Sequence, residues 1–298
     1  MTTAIAMNGL LDCEYFDIRS NIVGDVFRIF VAKPPFVPEG RYPVIYLTDG
    51  NSTFSTALGV QRTLAWGGEA PPAFIVGIGY PTESGYMQAL AKRNRDYLPP
   101  DTIEDAKALL GEGLQAGAEP FANFVQRELN PELQRRFAID PSDTTVFGSS
   151  LGGLFGLWTL LTRPQDFKRY VLVSPAIAAA ASHVPKWETK SSALQSAEAR
   201  IYLAAGELES AAASRRNAVD VANRNPLLRP MIEQMIAGLD ARGWHSTLDL
   251  TAEFAARLKG RDKLPFVHYE MLVAETHMSA STIALSRGLR YVFESWRP

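Results

Sequence analysis

Residues 143–161 read DTTVFGSSLGGLFGLWTLL. A β-prone run passes into Gly148-Ser149-Ser150-Leu151-Gly152 and becomes a helical pattern with no polar spacer. A strand-to-helix turn of this kind bends the chain sharply, strains the apex residue and projects its side chain above the sheet. The positions two before and two after the apex must be small, because strand and helix converge there, and both are glycine. Ser150 is the expected apex. The chemistry of such a serine is nucleophilic. The N–H groups and positive end of a helix starting near Leu151 point at the same spot and favour a developing anion.

A serine hydroxyl attacks well only when a base takes its proton, and the base needs an acid to orient it. With this elbow the chain order is nucleophile, acid, histidine. Of the four histidines, His183 comes before the last two predicted strands. His245 lies between a helix and a strand, and His268 sits inside the apolar run FVHYEMLV as a core or edge residue. His277, in AETHMSAS between the last strand and the last helix, is the candidate base. The acid is expected after the preceding strand, RIYLAAG, where both Glu207 and Glu209 are available. Two donors would complete an oxyanion site: the backbone N–H of Leu151, and that of Asn51 in the Asp49-Gly50-Asn51 turn after the first buried strand.

These groups need a scaffold that brings distant turns together. The runs at residues 14–20 and 25–32 read as an antiparallel hairpin around Asn21-Ile22-Val23-Gly24. YPVIYLTDG (42–50) and PAFIVGIGY (72–80) are almost continuously apolar, as strands covered on both faces are. Helical patterns lie between and after them, with Asp101 and Glu104 resembling a capping box and a long helical region over 211–242. Further strands are expected at 144–147, 170–174, 200–204 and 267–273, and a final helix from 281. This alternation predicts an α/β fold: a mostly parallel central sheet with an antiparallel N-terminal hairpin and helices on both faces. One domain spanning 1–298 is expected, with a helical cap-like segment at about 211–263.

Composition narrows the function. Thirty Lys+Arg against thirty-two Asp+Glu leave a formal net charge of −2, a poor match to nucleic acid as partner. The one cysteine, Cys13, excludes an intrachain disulfide, and no metal-ligand spacing occurs. The first residues lack the basic region of a signal peptide and no run is long enough to span a membrane, so the expectation is a cytoplasmic protein without a membrane partner.

The pieces VIYLTDGNSTF, RNRDYLPP, VFGSSLGGLFGLW, VSPAI, AAGELE and AETHMSASTIALSRGLRYVFE together resemble the esterase-D-like branch of the α/β-hydrolases, and within it the siderophore (enterochelin) esterase group. The likeness runs from about residue 15 to the C-terminus. It implies an α/β-hydrolase fold and a cofactor-free serine carboxylic ester hydrolase working through an acyl-enzyme. It implies a Ser150 nucleophile, a His277 base and oxyanion donors at Asn51 and Leu151. A strand-Gly-x-x-acid pattern common in the group favours Glu209 over Glu207.

The implied substrates are small aryl or acyl esters or siderophore-type lactones. The pocket is expected from 80–98, 176–187 and 211–263, with Tyr80, Arg95 and Ile177 as candidate substrate contacts. Arg95 has a carboxylate beside it in Asp96. Lys92, Arg93, Lys186, Arg215 and Arg216 are further cations near these segments. The chain departs from the group in its run of alanines around Ile177, where relatives carry bulky aromatics, and in Met278 after the histidine. An acyltransferase or thioesterase of the same fold would use the same residues and differ in what resolves the acyl-enzyme. A non-catalytic binding protein on this scaffold would be expected to lack a triad member, and every member has a candidate here. The oligomeric state is not legible.

Overall fold

The computed structural model of the chain describes residues 5–7, 10–34, 38–83, 86–190, 199–261, 264 and 266–295. The N-terminal strands β1 (Ile5–Ala6), β2 (Cys13–Arg19) and β3 (Val26–Ala32) form an antiparallel ribbon. Its turn between β2 and β3 is closed by Gly24 at φ 78°, a conformation glycine adopts without penalty. β4 (Tyr42–Leu47), α1 (Gly50–Trp66) and β5 (Phe74–Gly79) follow. Then come α2 (Tyr86–Tyr97), α3 (Ile103–Leu110), α4 (Ala118–Phe124) and α5 (Asn130–Arg136), the last two joined by a π-helical turn at Val125–Leu129. β6 (Ile139–Ser149) runs into α6 (Leu151–Thr162), followed by β7 (Arg169–Val173), a 3₁₀ turn at Ile177–Ala180 and α7 (Val184–Lys190). β8 (Arg200–Gly206) precedes α8 (Ala211–Arg224), α9 (Arg229–Arg242) and α10 (Thr247–Lys259), and β9 (Val267–Leu272) and α11 (Ala280–Val292) end the chain.

Among the described residues the strands make one nine-stranded sheet in the order β1-β2-β3-β5-β4-β6-β7-β8-β9. β5, β4, β6, β7, β8 and β9 are mutually parallel, and β3 joins β5 antiparallel. This is the expected α/β-hydrolase arrangement. Strand periodicity explains why the buried runs are continuously apolar. In β4, Val44 and Tyr46 face one core while Ile45 and Leu47 face the other. In β7, Tyr170 and Leu172 alternate with Val171 and Val173 in the same way. α1 and α11 cover one face through Phe54, Leu58, Leu285 and Leu289. The other face is covered by the helices carrying Tyr97, Phe121, Phe155 and Phe254.

Three local expectations are revised. The helical region over 211–242 is two helices, because Asn225 precedes Pro226 and is extended at φ −124°, ψ 92°, as a residue before proline is pushed to be. The Asp101/Glu104 capping box does not form. Asp101 is left-handed at φ 65°, Thr102 holds the N-cap position without a side-chain cap, and its hydroxyl turns back to Pro99 O at 2.7 Å. The strand expected at 144–147 is longer, covering Ile139–Ser149. α10 packs on β8 and β9, with Phe254 and Leu258 fully buried, and α9 meets α3. No helix of the described residues is long and apolar enough to cross a membrane.

Candidate active site

The site is built at the C-terminal ends of the parallel strands, where ligands bind in open α/β sheets. Backbone strain gathers there. Among the described residues six non-glycines have positive φ, and four of them, Asp49, Ser150, Ser174 and Ala274, directly follow or lie just beyond β4, β6, β7 and β9. Such strain persists only where the surroundings over-determine it, and it clusters at functional sites.

Ser150 is the residue between β6 and α6, at φ 58°, ψ −120°. Both flanking glycines are sterically required. A methyl on Gly148 would stand 2.2 Å from Gly152 O, and one on Gly152 would stand 2.2 Å from Thr48 Oγ1. The apex is pinned by its backbone: Ser150 N–H donates to Val173 O at 3.0 Å, and Ser150 O accepts from Ala176 N at 3.0 Å. The Ser150 side chain is left half-buried at the start of α6. Leu151, the first residue of that helix, has an N–H without an intrahelical acceptor, as helix N-termini do.

Glu209 is fully buried at 1% exposure, in the 3₁₀ turn Glu207–Glu209 that follows β8. Its Oε2 is 2.6 Å from His277 Nδ1. Its Oε1 accepts from Gly206 N–H at 2.7 Å and from Ser174 Oγ at 2.5 Å. Burial alone would raise this carboxyl. The hydrogen bond and charge of His277, the Ser174 hydroxyl and the Gly206 N–H outweigh burial and hold it below its ordinary value. An ionised Glu209 fixes the proton on Nδ1 and leaves the Nε2 lone pair as a proton acceptor.

Glu207 is exposed and does something different. Its Oε2 accepts the N–H of Ala274 at 2.8 Å, while Leu208 N–H donates to Glu275 O at 3.0 Å. A methyl on Gly206 would stand 2.2 Å from Glu275 O. The turn after β8 and the loop carrying His277 are therefore held together by two hydrogen bonds and a close backbone approach besides the Glu209–His277 bond. Ala274 sits at φ 61°, an unfavourable conformation for alanine, and the Glu207 carboxylate bonds the N–H of that strained residue.

Asn51 lies at the start of α1. Its side chain is a two-way clamp on the residue after β5, donating from Nδ2 to Tyr80 O at 2.9 Å and accepting from Tyr80 N at 2.8 Å. Its backbone N–H lies in the first turn of α1, where no intrahelical acceptor exists.

Two of the expected substrate contacts are spent inside the fold. Tyr80 is 3% exposed and its hydroxyl donates to Asp96 Oδ2 at 3.0 Å. Arg95 pairs with Asp96 at 2.6 Å and Asp25 at 3.1 Å. Burial pushes the Asp96 carboxyl up against the pull of Arg95, so this pair neutralises a buried acid. Lys92, Arg93 and Arg215 are likewise engaged, with Asp25, Asp49 and Asp240, while Lys186 and Arg216 are exposed. Ile177 differs. It follows Ala176, which bonds the Ser150 carbonyl, and it lines a cleft with Ala181, Val184 and Leu250 that also carries Arg257 and Arg261 around Glu188.

Of the remaining histidines, His245 is exposed, and His183 and His268 have other partners. His268 stacks on Tyr202 at 5.7 Å and meets the Tyr291 ring in a tilted contact at 5.0 Å. His183 brings Ser182 and Asp105 together, yet both contacts, at 3.0 and 3.3 Å, fall on Nδ1. A relay needs acid and nucleophile on opposite nitrogens, so this set is a structural link between α3 and the start of α7. Sequence reasoning missed Ser174 and Tyr97, and marked Arg93 only as a cation near the pocket segments. The only local signal for Ser174 is a small polar residue at a strand end before Pro175.

Comparison with known proteins agrees with this architecture. Residues 20–237 match the Esterase family, described as "Putative esterase". The chain belongs to this esterase family. It is 39% identical over 203 residues to the ferri-bacillibactin esterase BesA of Bacillus subtilis, covering 64% of this chain and 68% of that protein. It is 29% identical to a siderophore triacetylfusarinine C esterase of Aspergillus fumigatus, over 86% of this chain and 83% of that one. The crystal structure of the BES protein from Bacillus cereus superposes with a TM-score of 0.72 at 28% identity, covering 98% of each chain. The esterase is an enzyme, a carboxylic ester hydrolase.

Proposed function

We propose that the esterase cleaves siderophore-type ester and lactone bonds through an acyl-enzyme, with Ser150 as nucleophile, His277 as general base and Glu209 as the acid that orients it. The observation that carries this reading is the short His277 Nδ1–Glu209 Oε2 contact, on the rim where the strained Ser150 also lies. His277 Nε2 takes the Ser150 proton as Oγ attacks the ester carbonyl carbon. The tetrahedral oxyanion is held by the N–H groups of Leu151 and Asn51, donors already oriented before reaction. Collapse expels the alkoxide, which takes the proton from His277. Water then repeats the cycle on the acyl-enzyme and frees Ser150.

The named activities of the relatives support siderophore esters as the substrate class. Ile177 and the apolar cleft beside it supply the contact surface, and small aryl esters serve as surrogates. An iron held by such a substrate is part of the substrate. The reading takes the cytoplasm as compartment and the whole chain as one catalytic domain, with Leu250, Arg257 and Arg261 of the cap-like segment lining the cleft. The test is turnover of a p-nitrophenyl ester and of a catecholate trilactone, with and without iron, by wild type and Ser150→Ala. Ser150→Ala is expected to lose about 10⁴-fold or more in kcat while keeping its melting temperature. Substantial turnover by that variant ends the nucleophile assignment. A trilactone kcat/KM no better than the aryl ester's ends the substrate assignment.

A further inference from the structure

We propose that Arg93 is a positioning residue of the oxyanion site, which cancels the charge of Asp49 beside the place where negative charge develops. This rests on the reading of Asn51 and Leu151 as oxyanion donors. Asp49 occupies the turn between β4 and α1 in the left-handed conformation, φ 56°, ψ 41°, and that turn delivers the Asn51 N–H. Its carboxylate also lies against the start of α6. A methyl on Gly152, two residues past Ser150, would stand 3.4 Å from Asp49 Oδ2. The acid therefore sits between the two segments that supply the two donors.

Arg93 grips it with both ends of the guanidinium, Nε to Oδ1 at 2.6 Å and Nη2 to Oδ2 at 3.1 Å. The side chains of the pair are only 17% and 19% exposed. The same guanidinium lies 5.4 Å from the centre of the Tyr97 ring, and the Tyr97 hydroxyl accepts the Asp49 N–H at 2.8 Å. α2 thus braces the turn twice, once through charge and once through the backbone.

The turn itself does not require the charge. Asparagine adopts the left-handed conformation as readily as aspartate. The backbone bonds that shape the turn, Ser52 N–H and Thr53 N–H to Asp49 O at 2.9 and 3.0 Å, use no carboxylate. A bare anion here would oppose a developing oxyanion through the poorly screened interior. A bare cation would not.

This asymmetry gives the test. Arg93→Gln and Asp49→Asn delete the same ion pair but leave opposite charges behind. With a small aryl ester, Arg93→Gln is expected to lower kcat at least ~10-fold with KM within about threefold, while Asp49→Asn stays within about threefold of wild type. The double variant is expected to return to about the Asp49→Asn level, although all three melt below wild type. Equal losses in the two single variants would show a purely mechanical brace and overturn the proposal. So would a change confined to KM, which marks a substrate contact, or a wild-type kcat in Arg93→Gln. Should Arg93→Gln not fold, Arg93→Lys and the double variant decide. Lysine keeps the charge, so Arg93→Lys is expected to retain most of kcat, and a tenfold loss in it or in the double variant overturns the proposal. Ser150→Ala measured alongside separates the cases, since its activity bears on the nucleophile and not on Arg93.

Discussion

Two glutamates two positions apart meet the same histidine loop and do unlike things. Glu209 is buried, ionised and bonded to the His277 ring. Glu207 is exposed and bonds the Ala274 backbone. Glutamine at 209 cannot stabilise an imidazolium, and its NH₂ would favour the wrong imidazole tautomer, so Glu209→Gln is expected to lower kcat by about 10²–10⁴-fold. Glutamine at 207 still presents a carbonyl oxygen to the Ala274 N–H, so Glu207→Gln is expected to stay within about threefold of wild type. Steady-state kcat on an aryl ester compares the two. A larger loss in Glu207→Gln would reverse the assignment of the acid, and wild-type rates in both would leave a Ser-His pair.

At the scale of elements, the site depends on how closely β6 and α6 converge. The Gly148 Cα faces the Gly152 carbonyl, and the nearest atoms to an added methyl are backbone: Gly152 O at 2.2 Å, Gly152 C at 2.4 Å and Gly153 N at 2.9 Å. No side chain can rotate away to make room. Gly148→Ala is therefore expected to open the elbow, costing about 3 kcal/mol or more, at the upper end of overpacking penalties, and to abolish activity. Ser149→Ala, beside the apex and half-buried, is expected to melt and turn over close to wild type. Thermal melts of the two variants check this. A stable, active Gly148→Ala would mean the turn has slack that its geometry denies.

For the whole molecule, ionisation sets the acid limit of stability. Arg135 and Arg136 hold Glu132 down to about 2. Asp25, Asp105, Asp140 and Glu209 are also held below their ordinary values by their partners. A carboxyl whose folded value is depressed contributes stability that is fully present above its unfolded value and is lost as pH falls through its folded value. Asp96 and Asp166 are raised by burial and act in the opposite sense, but they are fewer. The melting temperature is expected to be nearly constant from neutral pH to about pH 5, then to fall continuously towards pH 2. Calorimetry across pH 2–7 measures this. A melting temperature that rises on acidification below pH 5 would contradict the balance.

The sequence by itself determined most of the elements and the steric form of one turn. The elbow is legible because Gly148, Ser150 and Gly152 are neighbours and their spacing states the steric requirement. The parallel sheet is legible because strands covered on both faces carry unbroken apolar runs. The break at Asn225-Pro226 was written in the same local terms. What only the tertiary structure decided joins residues far apart in the chain. The Ser174–Glu209 bond spans 35 positions, Asp49–Arg93 spans 44 and Glu209–His277 spans 68. Apart from the Gly-x-x-acid pattern of the group the chain resembles, nothing local separates Glu207 from Glu209, and it is the 3₁₀ turn after β8 that directs one inward and the other to the surface. Tyr80 and Arg95 read as pocket residues from their neighbourhood, yet a buried Asp96 claims both. An acid taken out of water must find partners, and which cations and hydroxyls it takes depends on what the fold packs around it.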